Sequence, residues 1–502
     1  MKSLLYTSIF SLICYTLVSP FAAQAAQTSP PSAKKPYPYS QKKQIQATPT
    51  PPKSIDTPES FRFSMKHRES NGIGYNQGYS SLDGFFLFSN FDQWFPFFDV
   101  RAHVFNNGKP AANLGFGMRY LPDTVHAVFG INGFVDLRST THSSFEQMGC
   151  GIEILGSKWE LRGNGYFPLF HRNHLYSEKF HKFHEHNAIF QAGHELAFKG
   201  LDISLGRLLL RTKHCDLSST LGGYMFFADY STRAAGGLFK LKSHLTKYFS
   251  LEAQGSYDNL FKGIAQIQAA LTIPFGKRVK SNNKRLSQRQ EIELTRRIAE
   301  EVDRFEIIVT KKHVVDFIGE DPRTKQPLTI VFVDNTTSSG DGTAEHPYNT
   351  LSAAQNNSAP WDMIYVYGGD GTPRNMDLGI SLQAGQWLQG SATSFTLHTD
   401  FGLCDVPKQT SIRPSIRNPS GNTITLTGNN IVTGFDIRST TGSNIIGLGV
   451  QNISIMDNHL LASPSFDILL EGSSGSVLIT NNISISDQGL HFHTGQNSTL
   501  LL

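Results

Sequence analysis

Between Phe98 and Leu137 the chain twice alternates hydrocarbon with polar or glycine residues, and this two-residue period constrains the fold more than any other feature. Phe98, Val100, Ala102 and Val104 interleave with Asp99, Arg101 and His103; Phe129, Ile131, Val135 and Leu137 interleave with Gly130, Asn132, Asp136 and Arg138. Side chains on a β-strand alternate faces, so each segment carries one apolar and one polar face. A soluble antiparallel sheet buries the apolar face on a second layer, whereas a transmembrane barrel turns it to lipid and keeps the polar face for its lumen. Arg101, Arg119, Asp136, Glu153, Arg162, Lys240 and Glu252 fall on the polar face. A packed core would not accept them without partners, which favours the membrane barrel over a soluble sandwich or soluble barrel.

The first residues agree with export. Lys2, the mostly apolar run Leu4 to Val18 and the small-x-small site Ala23-Gln24-Ala25 read as a secretory signal peptide over residues 1–25. No later stretch reaches about 18 uninterrupted apolar residues, so a membrane-embedded form of this chain would have to be a barrel. The net charge of +4 over 502 residues gives no argument for a nucleic-acid partner. Four cysteines are present; Cys14 leaves with the signal, and the odd set Cys150, Cys215 and Cys404 requires at least one free thiol or intermolecular partner. Cys150 lies in phase with Met148, Ile152 and Ile154, on the apolar face.

Residues 26–59 are dominated by Pro, Ser, Thr, Gln and Lys and read as a disordered tether. The barrel is expected over residues 60–276, where from Gly78 to Phe275 twelve segments of strand length are separated by turn residues, with cores that include SLDGFFLF, FFDVRAHVF, AIFQAGHELAF and AQIQAALTI. An even number of antiparallel strands closes a barrel with both chain ends at one rim. Trp94, Phe95, Tyr120, Trp159, Tyr166, Phe167 and Tyr248 stand near segment ends, where interfacial aromatic girdles are expected.

The stretches GIGYNQGYSSLDGFF, FFDVRAHVFNNGKPAANLGFGMRYL and INGFVDLRSTTHSSFEQMGCGIEILGSKWELRGNGYFPL resemble the β-domain of inverse autotransporters, the intimin and invasin family, and in particular its chlamydia-related branch. The resemblance covers residues 60–312. It implies a twelve-stranded outer-membrane barrel that exports the C-terminal remainder of its own chain to the cell surface. It also implies outer-membrane lipid, the barrel-assembly machinery and periplasmic chaperones as partners. The chain departs from better-known members in lacking a recognisable peptidoglycan-binding module before the barrel and a series of immunoglobulin-like repeats after it.

Residues 277–312 are rich in both charge signs and read as a helix from Leu286 to Arg304 followed by a short strand from Ile307 to Thr310. Glu293 with Arg297 and Glu300 with Arg304 have helical i,i+4 spacing. With the last strand ending at the inner rim, a passenger outside the cell requires this segment to run through the pore, past Arg162, Lys240, Glu252 and Asp258.

The passenger is expected over 313–502. From Val331 the text VFVDNTTSSGDGTAEHPYNTLSAA, DMIYVYGGDGT and GISLQAGQWLQG resembles the entry segment of right-handed parallel β-helices of the pectate-lyase-like superfold. Ile453, Ile455 and Asn458 recur as Val477, Ile479 and Asn482 after 24 residues, with Ile431, Gly434, Phe435 and Ile437 as a looser earlier copy, which predicts stacked coils with an Asn ladder. The chain stops at Leu500-Leu501-Leu502 without a visible capping element.

The expected class is therefore all-β: a twelve-stranded antiparallel transmembrane barrel followed by a right-handed parallel β-helix. Its expected role is display of the passenger as an adhesin-like or invasin-like module, for which a host-cell or glycan receptor is the fitting partner class. The rivals are a surface-tethered polysaccharide-acting enzyme and a simple porin. Asp436, Asp457, Asp467 and Asp487 share no period that would stack them into an acid and base pair or a calcium site, so no catalytic residue is singled out and an enzyme is not expected. His171, His174, His181, His184 and His186 read as one solvated loop rather than a metal site. No metal or cofactor is expected.

Overall fold

The computed structural model describes residues 59–88, 93–123, 125–212, 215–278, 288–461, 463–486 and 488–502. The expected signal peptide, the tether up to residue 58, the linker residues 279–287 and Asp487 lie outside the described residues.

Fourteen strands come first: β1 (Glu59–Glu69), β2 (Tyr79–Leu87), β3 (Trp94–Phe105), β4 (Pro110–Tyr120), β5 (Ala127–Ser139), β6 (Ser144–Gly156), β7 (Trp159–Leu169), β8 (Asn173–His184), β9 (Asn187–Ala197), β10 (Lys199–Arg211), β11 (Asp216–Phe227), β12 (Arg233–His244), β13 (Phe249–Asp258) and β14 (Lys262–Arg278). Twelve close into an antiparallel barrel in the order β1-β14-β13-β12-β11-β10-β7-β6-β5-β4-β3-β2. Closure removes every exposed edge, which is the condition for spanning hydrocarbon with strands. Glu59 pairs with Arg278, so the chain enters and leaves the barrel at the same rim, here called the near rim.

The faces are sorted as the alternation predicts. Ile131 and Ile152 are 65% and 66% exposed on the outside, whereas Arg101 and Asp136 are 3% and 1% exposed within. An apolar exterior around a charged interior is the signature of a wall facing lipid. Cys150 lies on the exposed face, and Cys150, Cys215 and Cys404 are all free thiols. Trp94, Trp159, Phe167 and Tyr248 are exposed near strand ends, and the Trp94 ring stacks on Tyr120 at 4.4 Å. Phe95 and Tyr166 do not belong to the girdle. Both point inward and are buried, because their phase matches that of the lumen residues on their strands.

The strand count agrees with expectation, but the membership differs. ESFRFSMKHRE, which precedes the twelve counted segments within the expected barrel region, is β1 and seals the barrel between β14 and β2. AIFQAGHELAF is not a wall strand: it is β9, which pairs with β8 and with β15 (Thr310–Ile318) in a separate three-stranded sheet at the far rim. The physical reason lies in its burial, since from Ala192 to Ala197 consecutive residues are buried on both faces, which a lipid-facing strand cannot be. The histidine stretch is likewise a strand rather than a loop. His174, His181 and His184 stand on β8, paired to β9, and His171 and His186 flank it.

The C-terminal part is a parallel β-helix. One sheet stacks the strands Ile330–Val333, Met363–Val366, Trp387–Gly390, Ile431–Thr433, Gln451–Met456 and Ile468–Thr480 in parallel register. Val331, Ile364, Leu388, Val432, Ile455 and Ile479 run down its buried core. The 24-residue repeat holds, with Ile453 opposite Val477 and Ile455 opposite Ile479. The earlier copy is shifted by one residue, because Val432 rather than Ile431 faces Ile455, and Ile431 turns to the outer face. The ladder also holds: Asn458 Nδ2 donates to Asn482 Oδ1 at 3.1 Å and to the Val432 carbonyl at 3.0 Å, while the Phe435 amide donates to Asn458 Oδ1.

Candidate functional site: the filled lumen

The segment following the barrel occupies the barrel. The helix α1 (Gln288–Ile298) and the turn after it bring Leu294, Ile298, Ala299 and Val302 against Leu87, Phe95, Leu121 and Leu155, whose positions at strand ends mark the near rim. Ile307 packs with Tyr79 and Phe105, Ile308 with Phe145 and Ala197, and Val309 with Ile73 and Phe198, all at or beyond the far rim. Residues 299–309 therefore cross the lumen from one rim to the other. Apolar clusters stand at both ends and charge lies between them.

The helix ends at Ile298, well before Arg304, and the two expected i,i+4 pairs give way to pairs with the wall and to one i,i+3 pair within the segment. Glu293 pairs with Arg211, Arg297 with Glu160 and Glu300, Glu300 with Arg162, and Arg304 with Asp136. A non-helical thread in a narrow lumen exposes backbone carbonyls that need donors. The wall supplies them. Arg119 donates to the carbonyls of Ile298 (2.7 Å) and Glu300 (2.6 Å), Arg162 to Glu301, Arg101 to Val302 (2.8 Å), Asn164 to Asp303, Asn113 to Glu306 (2.7 Å) and Arg138 to Ile308.

Charge complements this pattern. The stretch 300–306 carries Glu300, Glu301, Asp303 and Glu306 against the single cation Arg304. Lys66 holds Glu301 at 2.7 Å, Lys240 holds Asp303 at 2.6 Å and Arg101 holds Glu306 at 3.0 Å. Arg304 reaches both oxygens of Asp136 at 2.6 Å and lies 4.3 Å over the Phe134 ring. Buried charges are tolerated where they are paired and hydrogen-bonded, and each of these is. Arg162 and Lys240 meet the thread as the sequence suggested. Glu252 binds Arg68 of the wall, and Asp258 accepts from Tyr224. Beside the thread a cavity of about 730 Å³ persists, lined by Arg62, Arg207, Arg211 and Lys242 among others.

At the far rim Gly74 shapes the exit. Its φ of +82° is left-handed, and a Cβ there would lie 2.7 Å from the backbone of Val309 and of Thr310. Its carbonyl accepts from Arg138 at 2.9 Å. The exit contacts were not legible in advance. The one available signal was the regular placing of Arg and Asn at inward phase on β3 to β7.

Several carboxylates of the β-helix serve the fold. Asp334, Asp341 and Asp370 each accept from the hydroxyl and amide of the threonine two residues on, a turn device. The Thr372 hydroxyl and amide, with Asn335, lower the Asp370 carboxyl to about 2. Asp436 pairs with His459 at 3.0 Å and Asp467 accepts from Asn444 at 2.7 Å. Among the described residues no three His, Cys, Asp or Glu side chains stand together to hold a metal ion.

These features define an outer-membrane β-barrel whose lumen is filled by its own chain, joined to a β-helix. Residues 73–233 match the family model described as inverse autotransporter, beta-domain. A comparison with curated proteins gives no match. Among solved structures, the β-domain of the Bordetella autotransporter BrkA is similar at 13% identity, over 44% of this chain and all of that one, with a TM-score of 0.21. An outer membrane channel from Pseudomonas putida F1 is similar at 10% identity, over 46% of this chain and all of that one, with a TM-score of 0.29. The KdgM porin is similar at 8% identity over 43% of this chain and 99% of that one, with a TM-score of 0.26.

Proposed function

We propose that the barrel anchors the chain in the outer membrane and displays its C-terminal β-helix at the cell surface as an adhesin-like or invasin-like module. The observation that carries this reading is the course of residues 299–309: near rim to far rim through the lumen, then directly into β15 on the far-rim hairpin. With the near rim in the periplasm, the β-helix stands outside. A rigid, extended solenoid suits recognition of a host-cell or glycan receptor through its coils and loops. The barrel-assembly machinery and periplasmic chaperones are the partners its insertion would need. A filled lumen weighs against an open porin.

Protease added to intact cells tests the topology. The β-helix is expected to be removed while the barrel survives; protection of both parts would reject display.

A further inference from the structure

The first strands of the β-helix are apolar on both faces. Val331, Val333, Ile364 and Val366 enter the solenoid core, while Ile330, Phe332, Met363, Tyr365 and Trp387 point out of it. An outward row of this size on a surface solenoid would be a large exposed apolar patch. It is not exposed: the hairpin β8–β9 of the barrel domain covers part of it, and Phe395, Leu397 and Val406 of the passenger join the same cluster, with Phe395 5.4 Å from Trp387 and 6.1 Å from Tyr365. Phe183 lies 5.1 Å from the Phe332 ring and 4.9 Å from the Tyr365 ring, with Phe180 and Phe190 behind it. The backbone joins as well: the Ile330 amide donates to the His186 carbonyl at 2.8 Å and the Ala344 amide to the Glu185 carbonyl at 2.9 Å. Among the described residues the later coils have no such cover, and there Ile424-Thr425-Leu426 and Ile453-Ser454-Ile455 keep a hydrophilic outer residue.

We propose that the β8–β9 hairpin is the folding platform of the β-helix, so that the passenger reaches its stable form only against its own barrel. The hairpin provides an ordered strand edge for β15 and an aromatic surface for the first coils. Without that contact Phe332 and Tyr365 lose Phe183 and keep only the passenger's own Tyr367 and Phe395 on their outer side, so the first coils are left incompletely covered in any compartment where the hairpin is absent. The inference adds to the display reading and rests on it for the compartment, but not for the contact itself.

The test uses the full chain in outer membranes, with the double variant Phe180→Ser/Phe183→Ser. Heat-modifiable migration reports the barrel, protease digestion of isolated outer membranes reports passenger folding, and a C-terminal epitope on intact cells reports display. The expected result is an inserted barrel with passenger digestion at least tenfold faster than wild type. If the double variant fails to insert, Phe332→Ser leaves the barrel sequence intact and must give the same loss. Wild-type resistance in either variant with an inserted barrel overturns the platform. An epitope hidden in wild-type cells would instead reject display while leaving the digestion result readable.

Discussion

Arg304 of the threaded segment grips Asp136 of the wall with both nitrogens, 2.6 Å from each carboxylate oxygen, at a depth where neither side chain is more than 2% exposed. Two strands of argument meet in this pair. Asp136 lies on the polar face that the two-residue period of β5 directs inward, and Arg304 lies in a linker that has no regular structure at that point. Removing one partner of such a pair leaves an uncompensated buried charge, a cost of about 3–5 kcal/mol. Asp136→Ala should loosen the thread and raise ion conductance of the barrel in planar bilayers, whereas unchanged conductance would show that the pair does not hold the plug.

Gly74 gives a steric counterpart to that electrostatic prediction. A side chain at this position meets the Val309 and Thr310 backbone and must also adopt a left-handed φ. Gly74→Val should displace the exit segment, seen as faster hydrogen exchange of the β15 amides in the refolded full chain. Slow exchange at the wild-type rate would refute the close approach.

The lipid face predicts an asymmetry between neighbours. Ile152 is exposed in mid-strand, and an arginine there faces hydrocarbon at about 2–4 kcal/mol near the bilayer centre. Ile152→Arg should lower the urea midpoint for folding into vesicles. A midpoint equal to wild type would place that face in water.

Within the β-helix, Asn458→Ala removes the acceptor of the Phe435 amide and the donor to Val432. An unsatisfied buried amide costs about 1–3 kcal/mol, so the passenger should melt earlier while the barrel stays heat-modifiable. Equal melting of the passenger would remove the ladder from the account.

Acid should weaken the far-rim sheet. His194 is buried on β9, hydrogen-bonds with Asn173 at 2.7 Å and Tyr230 at 3.2 Å, and faces His313 of β15 in register. Burial first, and the His313 charge second, hold its imidazole below the ordinary value. A folded value below that of the unfolded chain, about 6.5, means that unfolding takes up a proton, so stability is full above about pH 6.5 and falls as pH drops toward the folded value. Protease cleavage within β8–β9 should accelerate as the pH falls through that value, and His194→Gln should flatten the dependence.

Much of the barrel was legible because a strand facing lipid on one side and water on the other has the strictest period available to a chain. The inward places of Arg101, Arg119 and Asp136 followed from that period alone. β1 was missed since its alternation of Phe61, Phe63 and Met65 with Arg62, Ser64 and Lys66 adjoins a Pro-rich and charged tether. β9 was misplaced since burial between two protein layers gives an apolar run like that of a wall strand. The thread was legible as charge but not as conformation: its carbonyls are satisfied by side chains scattered over successive wall strands, so no local pattern reports it. The outward apolar row of the first coils was present in IVFV and MIYV, but its cover on β8 is remote in sequence.

The central claim, that this chain fills its own barrel, is tested most directly by a chemical cross-link between wall and thread. In Asp136→Cys/Arg304→Cys, made in a background where Cys150, Cys215 and Cys404 are replaced by serine, treatment of the full chain in outer membranes with a bifunctional thiol-reactive linker as long as an arginine side chain should produce an intramolecular cross-link that changes the mobility of the boiled protein. A chain that forms no cross-link, and whose introduced thiol in the thread reacts with a water-soluble maleimide as fast as an unfolded control, would contradict it.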